Sequence, residues 1–312
     1  MVTTADQPQS LQAVADALGL AVPASIQELQ ARSQRVTTPL SEQPGAGRMV
    51  WHGWEPAAGV ARKPVPLVLL HGGSGSWTHW LRVIEPLTQA GYSVWIADLP
   101  GFGESDGVPG GMDVDTLIAP LAHGLAQLLA QRGGSSLCDL IGFSFGGMAA
   151  GLLAAQFPAH IRQLVLVGAP AMGITEGRVV RLKGWRHLQG LPAQMQAHHH
   201  NLAELMLHDA SRIDEETLAL HALNVARDRL PRRRLSRTDI LAQALPKVKA
   251  RVAAIYGEFD PLYIGRLDEL QAVLQRSHPA GVRWQMLGGL CHWVQHEDPA
   301  ATTAALLKAR RL

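Results

Sequence analysis

An α/β architecture, with a mostly parallel central sheet flanked by helices and a helical segment inserted late in the chain, is what this sequence predicts. Three observations carry the prediction. Short apolar runs recur along the chain, helical patterns lie between most of them, and one run leads straight into a glycine-flanked serine. Short unbroken apolar runs suit strands buried on both faces, and strands alternating with helices give a parallel sheet covered on both sides. The chain has 312 residues, 47% of them hydrophobic, enough for one large core.

Each element follows in order. Residues 1–32 read as a helical extension, because Leu11, Val14, Leu18, Ile26 and Leu29 recur at helical spacing, broken by Gly19 and Pro23. Segments rich in β-formers follow at 35–38 and 48–54. Continuous apolar runs then mark strands at 66–71, 93–97, 137–142, 163–167, 252–256 and 282–287. Leu117, Leu121, Leu125, Leu128 and Leu129 mark a helix between two of them. One interval breaks the rhythm: more than eighty residues separate Val167 from Val252 without a strand pattern. There Leu202, Leu205 and Met206, then Leu218, Leu220, Leu223 and Val225, indicate amphipathic helices. A helical insertion leaving a strand's carboxyl end belongs over the crevice where open α/β sheets bind ligands. Residues 171–246 are therefore expected to form a cap, with 33–170 and 247–312 as the α/β core.

Composition narrows the function classes. Lys and Arg number 28 against 26 Asp and Glu, a net charge of +2 that implies no polyanionic partner. The run from Arg229 to Arg237 holds five arginines in nine residues. Without interleaved aromatics it reads as a solvated helix face or a salt-bridged loop, not as a nucleic-acid grip. Two cysteines, Cys138 and Cys291, are too few for a disulfide framework and fall at opposite edges of the expected sheet. The stretch from Met1 to Pro8 shows no basic-then-apolar leader, and no apolar run approaches the ~20 residues that cross a bilayer. The expectation is a soluble cytoplasmic protein with no membrane partner. Oligomeric state stays open.

The chemistry concentrates at Gly142-Phe143-Ser144-Phe145-Gly146, between the apolar run at 137–142 and a small-residue helix. A serine on so tight a strand-to-helix turn is a nucleophile elbow, its hydroxyl pushed above the sheet edge and helix-opening N–H groups beside it. A serine hydroxyl needs a base, and the base needs a carboxylate to orient it. After the run at 252–256 comes Gly257-Glu258-Phe259-Asp260-Pro261; after the run at 282–287 comes Gly289-Leu290-Cys291-His292-Trp293. The expected triad is Ser144, His292 and Asp260. Glu258 is the alternative acid, with less reach because it directly follows the strand-ending glycine. His296, one helical turn past His292, reads as a surface or capping residue. For the oxyanion, the Phe145 N–H is one expected donor; the Gly73 N–H, from the loop His71-Gly72-Gly73-Ser74-Gly75-Ser76, is the other. That loop lacks the G-K-[ST] ending of a phosphate-binding loop.

These motifs, with Asp98-Leu99-Pro100-Gly101-Phe102-Gly103-Glu104-Ser105, identify the chain as similar to the α/β-hydrolase superfamily from residue 48 to 312 outside the cap. The resemblance implies a structural turn at 98–105. Serine at the elbow sets the chain apart from the dehalogenase and epoxide-hydrolase branches, which use aspartate there. The stretch Trp77-Thr78-His79-Trp80 resembles that of meta-cleavage-product C–C hydrolases. Those enzymes typically carry asparagine where this chain has His79, and again where it has Phe143.

Three adjacent histidines, His198, His199 and His200, point in different directions on a helix and so do not converge on a metal. One of them is a candidate to face the cleft. Met206 and Trp293 are candidates to line the substrate pocket, and equally candidates for core. No cofactor or metal is expected. The reading is a serine hydrolase cleaving a small-to-medium carboxylic ester. The alternatives are C–C cleavage of a vinylogous diketone and a slow-turnover ligand receptor on the same fold.

Overall fold

The computed structural model describes residues 7–174, 178–230 and 232–310. Residues 1–6 of the stretch read for a leader, and 175–177 and Pro231 of the segment read as a cap, lie outside the described residues. Eight strands form one sheet: β1 (Gln34–Pro39), β2 (Arg48–Trp54), β3 (Leu67–Leu70), β4 (Val94–Asp98), β5 (Cys138–Phe143), β6 (Ile161–Val167), β7 (Arg251–Gly257) and β8 (Val282–Leu287), in the order β1-β2-β4-β3-β5-β6-β7-β8. β1 pairs antiparallel with β2, and β2 with β4; every other pair is parallel. The chain reverses its direction of travel across the sheet at β3, which opens a crevice at the carboxyl ends of β3 and β5.

The helices are α1 (Leu11–Leu18), α2 (Ala24–Ala31), α3 (Leu81–Gln89), α4 (Val114–Arg132), α5 (Phe145–Gln156), α6 (Leu191–Asn201), α7 (Glu215–Ala226), α8 (Ile240–Ala244), α9 (Leu267–Ser277), α10 (Val294–Glu297) and α11 (Pro299–Ala309). They divide the interior into two cores, and strand periodicity explains why the apolar runs are unbroken. Leu67 and Leu69 of β3 enter the second core while Val68 and Leu70 enter the first. In β6 the split is the same, Val165 and Val167 against Leu164 and Leu166. The first core takes Leu117, Leu121 and Leu125 of α4 and Leu270 of α9. The second takes Val83 and Leu87 of α3, Leu306 of α11, and Leu11 and Ile26 of α1 and α2.

The N-terminal helices are thus part of the main packing. Ser10 caps α1 by accepting the Ala13 N–H, Gly19 ends it at φ 68°, and Trp54 Nε1 donates to Leu29 O at 2.9 Å. Between β6 and β7 the described residues hold helices and irregular chain but no strand. Leu202–Met206 there is a π-helical turn, with the Leu207 N–H on Leu202 O at 3.0 Å. No helix among the described residues is long and apolar enough to cross a membrane.

Candidate active site

Ser144 joins β5 to α5 with φ 50° and ψ −118°, a conformation that strains any residue bearing a Cβ. The sequence permits it because the flanking positions carry no side chain. A Cβ on Gly142 would lie 2.2 Å from Gly146 O, and one on Gly146 would lie 2.4 Å from His71 O. The Ser144 N–H donates to Val167 O at 2.8 Å, which pins the turn to the neighbouring strand.

His292 follows β8 and Asp260 follows β7, so both reach the carboxyl edge where Ser144 sits. His292 Nδ1 lies 2.8 Å from Asp260 Oδ2, and His292 Nε2 lies 2.9 Å from Ser144 Oγ. Asp260 is fully buried and His292 nearly so. An acceptor-only carboxylate on Nδ1 fixes the proton there and leaves the Nε2 lone pair for the serine O–H. Asp260 is itself held, since its Oδ1 accepts the Leu262 N–H at 3.1 Å. Glu258 instead accepts the Gly289 N–H at 2.9 Å, bracing the turn that leads to His292.

His296 departs from the expectation of a surface or capping residue. It is buried, its ring stacks 4.0 Å from that of Trp293, and its Nε2 lies 3.0 Å from Thr217 Oγ1. The physical reason is α7, which carries Thr217 over it. Burial, with the charge of Arg82, lowers its pKa to about 3, so the ring is neutral at ordinary pH.

A cavity of about 810 Å³ opens above Ser144 and His292. Gly73 and Phe145 share its floor, and neither N–H donates to another described residue. Met172, Ile174, Leu205, Met206 and Leu262 give it an apolar wall, while Arg233, Ser236 and Thr238 give it a polar one. Trp293, read as a pocket candidate, does not line this cavity. It is fully enclosed, with Nε1 donating to His79 O at 2.9 Å and its own N–H donating to Met206 O at 2.9 Å. None of the three adjacent histidines lines the cavity either. His198 turns its buried ring to Trp185 and His221, His199 is exposed, and His200 meets Arg181 O. Among the described residues no three of His, Cys, Asp or Glu group as metal ligands.

Two histidines near the floor are neutral by construction. The His71 Nδ1–H donates to Gly72 O at 2.7 Å, and its Nε2 accepts the Leu99 N–H at 2.9 Å; burial lowers its pKa to about 4. His79 is packed between Phe143 and Trp293, and burial holds its pKa well below the usual histidine value. The turn at 98–105 is structural, as the resemblance implied: buried Asp98 accepts the N–H groups of Trp77 and Glu104. Within the arginine run, Arg233 is salt-bridged to Asp228 and Arg229 donates to the carbonyls of Gly103 and Arg227. Sequence reasoning missed that Arg233 faces the cavity while Arg232 and Arg234 are exposed, and nothing in three consecutive arginines distinguishes the middle one.

A profile of the alpha/beta hydrolase fold matches residues 65–299. A 2-hydroxy-6-oxononadienedioate/2-hydroxy-6-oxononatrienedioate hydrolase of Paraburkholderia phymatum is 28% identical over 256 residues, 77% of this chain and 85% of that one. Two solved structures share the fold. A thermophilic esterase from Thermogutta terrifontis has TM-score 0.64 and 21% identity over 88% of this chain and 97% of its own. A meta-cleavage product hydrolase from Pseudomonas fluorescens IP01 has TM-score 0.65 and 18% identity over 84% and 94%. With its sheet order, its strained serine turn and a profile match across most of its length, the chain belongs to the alpha/beta hydrolase fold family.

Proposed function

We propose that the chain is a serine hydrolase working by acyl transfer, and that it cleaves a C–C bond in a keto-dienoic acid of the ring-fission type. The observation that carries acyl transfer is His292 bridging Ser144 and Asp260, at 2.9 and 2.8 Å, on the floor of the cavity. Ser144 Oγ attacks the keto carbon as its proton passes to His292 Nε2. Asp260 keeps the ring oriented and stabilises its charge. The oxyanion rests on the Gly73 and Phe145 N–H groups. Collapse breaks the bond to the leaving carbon, whose electron pair passes along the conjugated chain to the far ketone oxygen, and the resulting dienolate takes the proton from His292. Water, deprotonated by His292, then adds to the acyl carbon and frees Ser144. The leaving carbon departs as a dienolate, so the substrate must first be in its keto form.

The named activity of the Paraburkholderia phymatum relative supports C–C cleavage, and Arg233 and Arg237 on the cavity's polar wall suit a substrate with an anionic end. Ester cleavage is the second reading, and one observation favours it. Phe143 is a fully buried aromatic and His79 a neutral buried ring at the two positions where the C–C hydrolases this chain resembles carry asparagine. One experiment separates them. A fluorophosphonate should label Ser144 once, and turnover should then be measured on a ring-fission dienoate and on short-chain esters. Turnover confined to esters refutes C–C cleavage. Labelling of Ser144→Ala at the wild-type rate refutes both.

A further inference from the structure

The loop at 72–76 carries the Gly73 N–H, yet it has no regular secondary structure to fix it, and Ser74 within it adopts φ 52°. A serine leaves that region readily unless something holds it. What holds it comes from the segment between β6 and β7. Ser74 Oγ donates to Asp228 Oδ2 at 2.6 Å, two residues beyond α7. Asp228 in turn takes both ends of the Arg233 guanidinium, Nη1 on Oδ1 at 2.8 Å and Nη2 on Oδ2 at 2.9 Å. A second tie grips the far end of the loop: Ser76 Oγ donates to Asn224 Oδ1 at 2.7 Å and accepts Arg227 Nη2 at 3.0 Å.

Arg233 does more than pair. Its guanidinium lies over Phe102 and Phe145, 5.0 and 5.3 Å from the ring centres. The three nearest atoms to a Cβ built on Gly73 all belong to Arg233, the closest at 3.3 Å. The cation is therefore packed against both Gly73 and Phe145, which line the cavity floor. Burial drives the Asp228 carboxyl pKa upward, but the hydrogen bonds and charge of Arg233, with Ser74, outweigh it and keep the group ionised.

We propose that Asp228 and Arg233 are positioning residues for the oxyanion hole: through Ser74 they hold the Gly73 N–H in its reactive direction. This rests on the acyl-transfer reading above and deepens it. Removing one oxyanion donor commonly costs about 10²–10³ in turnover, and loosening one costs less. Ser74→Ala and Asp228→Asn should each lower kcat about 10–100-fold on the best substrate found, with KM within about threefold. The rate of fluorophosphonate labelling should fall in parallel, because phosphonylation also places an oxygen in the hole. The double variant should be no worse than the poorer single one, since both changes release the same loop. Arg232→Met, at an exposed neighbouring arginine, is the control and should match the wild type.

Wild-type kcat and labelling rates in both single variants overturn the proposal. So does a loss that tracks a lowered melting temperature and vanishes on cooling. Failure of the wild type to be labelled at Ser144 is a different result, refuting the acyl-transfer reading and this inference with it.

Discussion

Acidification should weaken this fold through His71, and the size of the effect follows from its surroundings. The imidazole is fully buried, gives its Nδ1 proton to Gly72 O and needs its Nε2 lone pair for the Leu99 N–H. A second proton would cost that bond and place a charge in the interior. Burial therefore holds the folded pKa near 4, against 6.5 for the free side chain. Between those values the unfolded chain binds a proton that the native chain refuses, so stability rises with pH. The contribution is fully present above pH 6.5 and is lost as pH falls toward 4. From pH 7 to pH 5 about 1.5 pH units lie inside the window, and at 1.36 kcal/mol per unit His71 alone should account for roughly 2 kcal/mol. Urea unfolding at both pH values, for wild type and His71→Gln, measures it. The variant begins less stable at pH 7, by about 1–3 kcal/mol for the unsatisfied partners, but should lose roughly 2 kcal/mol less on acidification. His221 and His296, whose pKa values burial takes to about 3, act equally in both proteins and cancel in the comparison. Equal losses in the two proteins would refute a neutral His71.

Two further outcomes are expected at the site itself. Asp260→Asn should lower kcat by about 10³–10⁴-fold with KM little changed, since the carboxylate fixes the His292 tautomer and touches no substrate; Glu258→Gln should stay active, and the reverse result in steady-state assays would exchange their roles. Met206→Ala should shift the preferred acyl length upward, by about 10-fold or more per methylene, and should lower stability by a few kcal/mol, because Met206 both lines the cavity and joins the second core. A lowered melting temperature with an unaltered chain-length profile would make Met206 core alone.

Much of this was legible in the sequence because the information is local. Strands buried on both faces leave unbroken apolar runs, which is why β3, β5 and β6 could be read directly. The serine turn announces itself through Gly142 and Gly146, two positions where backbone approaches within van der Waals range of where a Cβ would stand. Asp260 and His292 were readable because each falls just beyond a strand end. What stayed hidden depends on which element covers which. His296 is buried only because α7 crosses over it, and Trp293 turns inward to His79 although its neighbour His292 faces the cavity. Arg233 acquires its place from Asp228 and the two phenylalanine rings, partners that no pattern within the arginine run reveals.

The hydrogen bond from the Trp293 N–H to Met206 O bears on modularity. Residues between β6 and β7 are the part of such a chain that one would exchange to borrow another enzyme's selectivity. Here that exchange would also remove the acceptor that anchors the residue next to His292, along with the α7 threonine that meets His296. The wall of the cavity and the anchor of the residue beside His292 lie in the same segment. A transplant would have to bring both partners with it, a carbonyl at the Met206 position in the same π-helical turn and a hydroxyl at the Thr217 position.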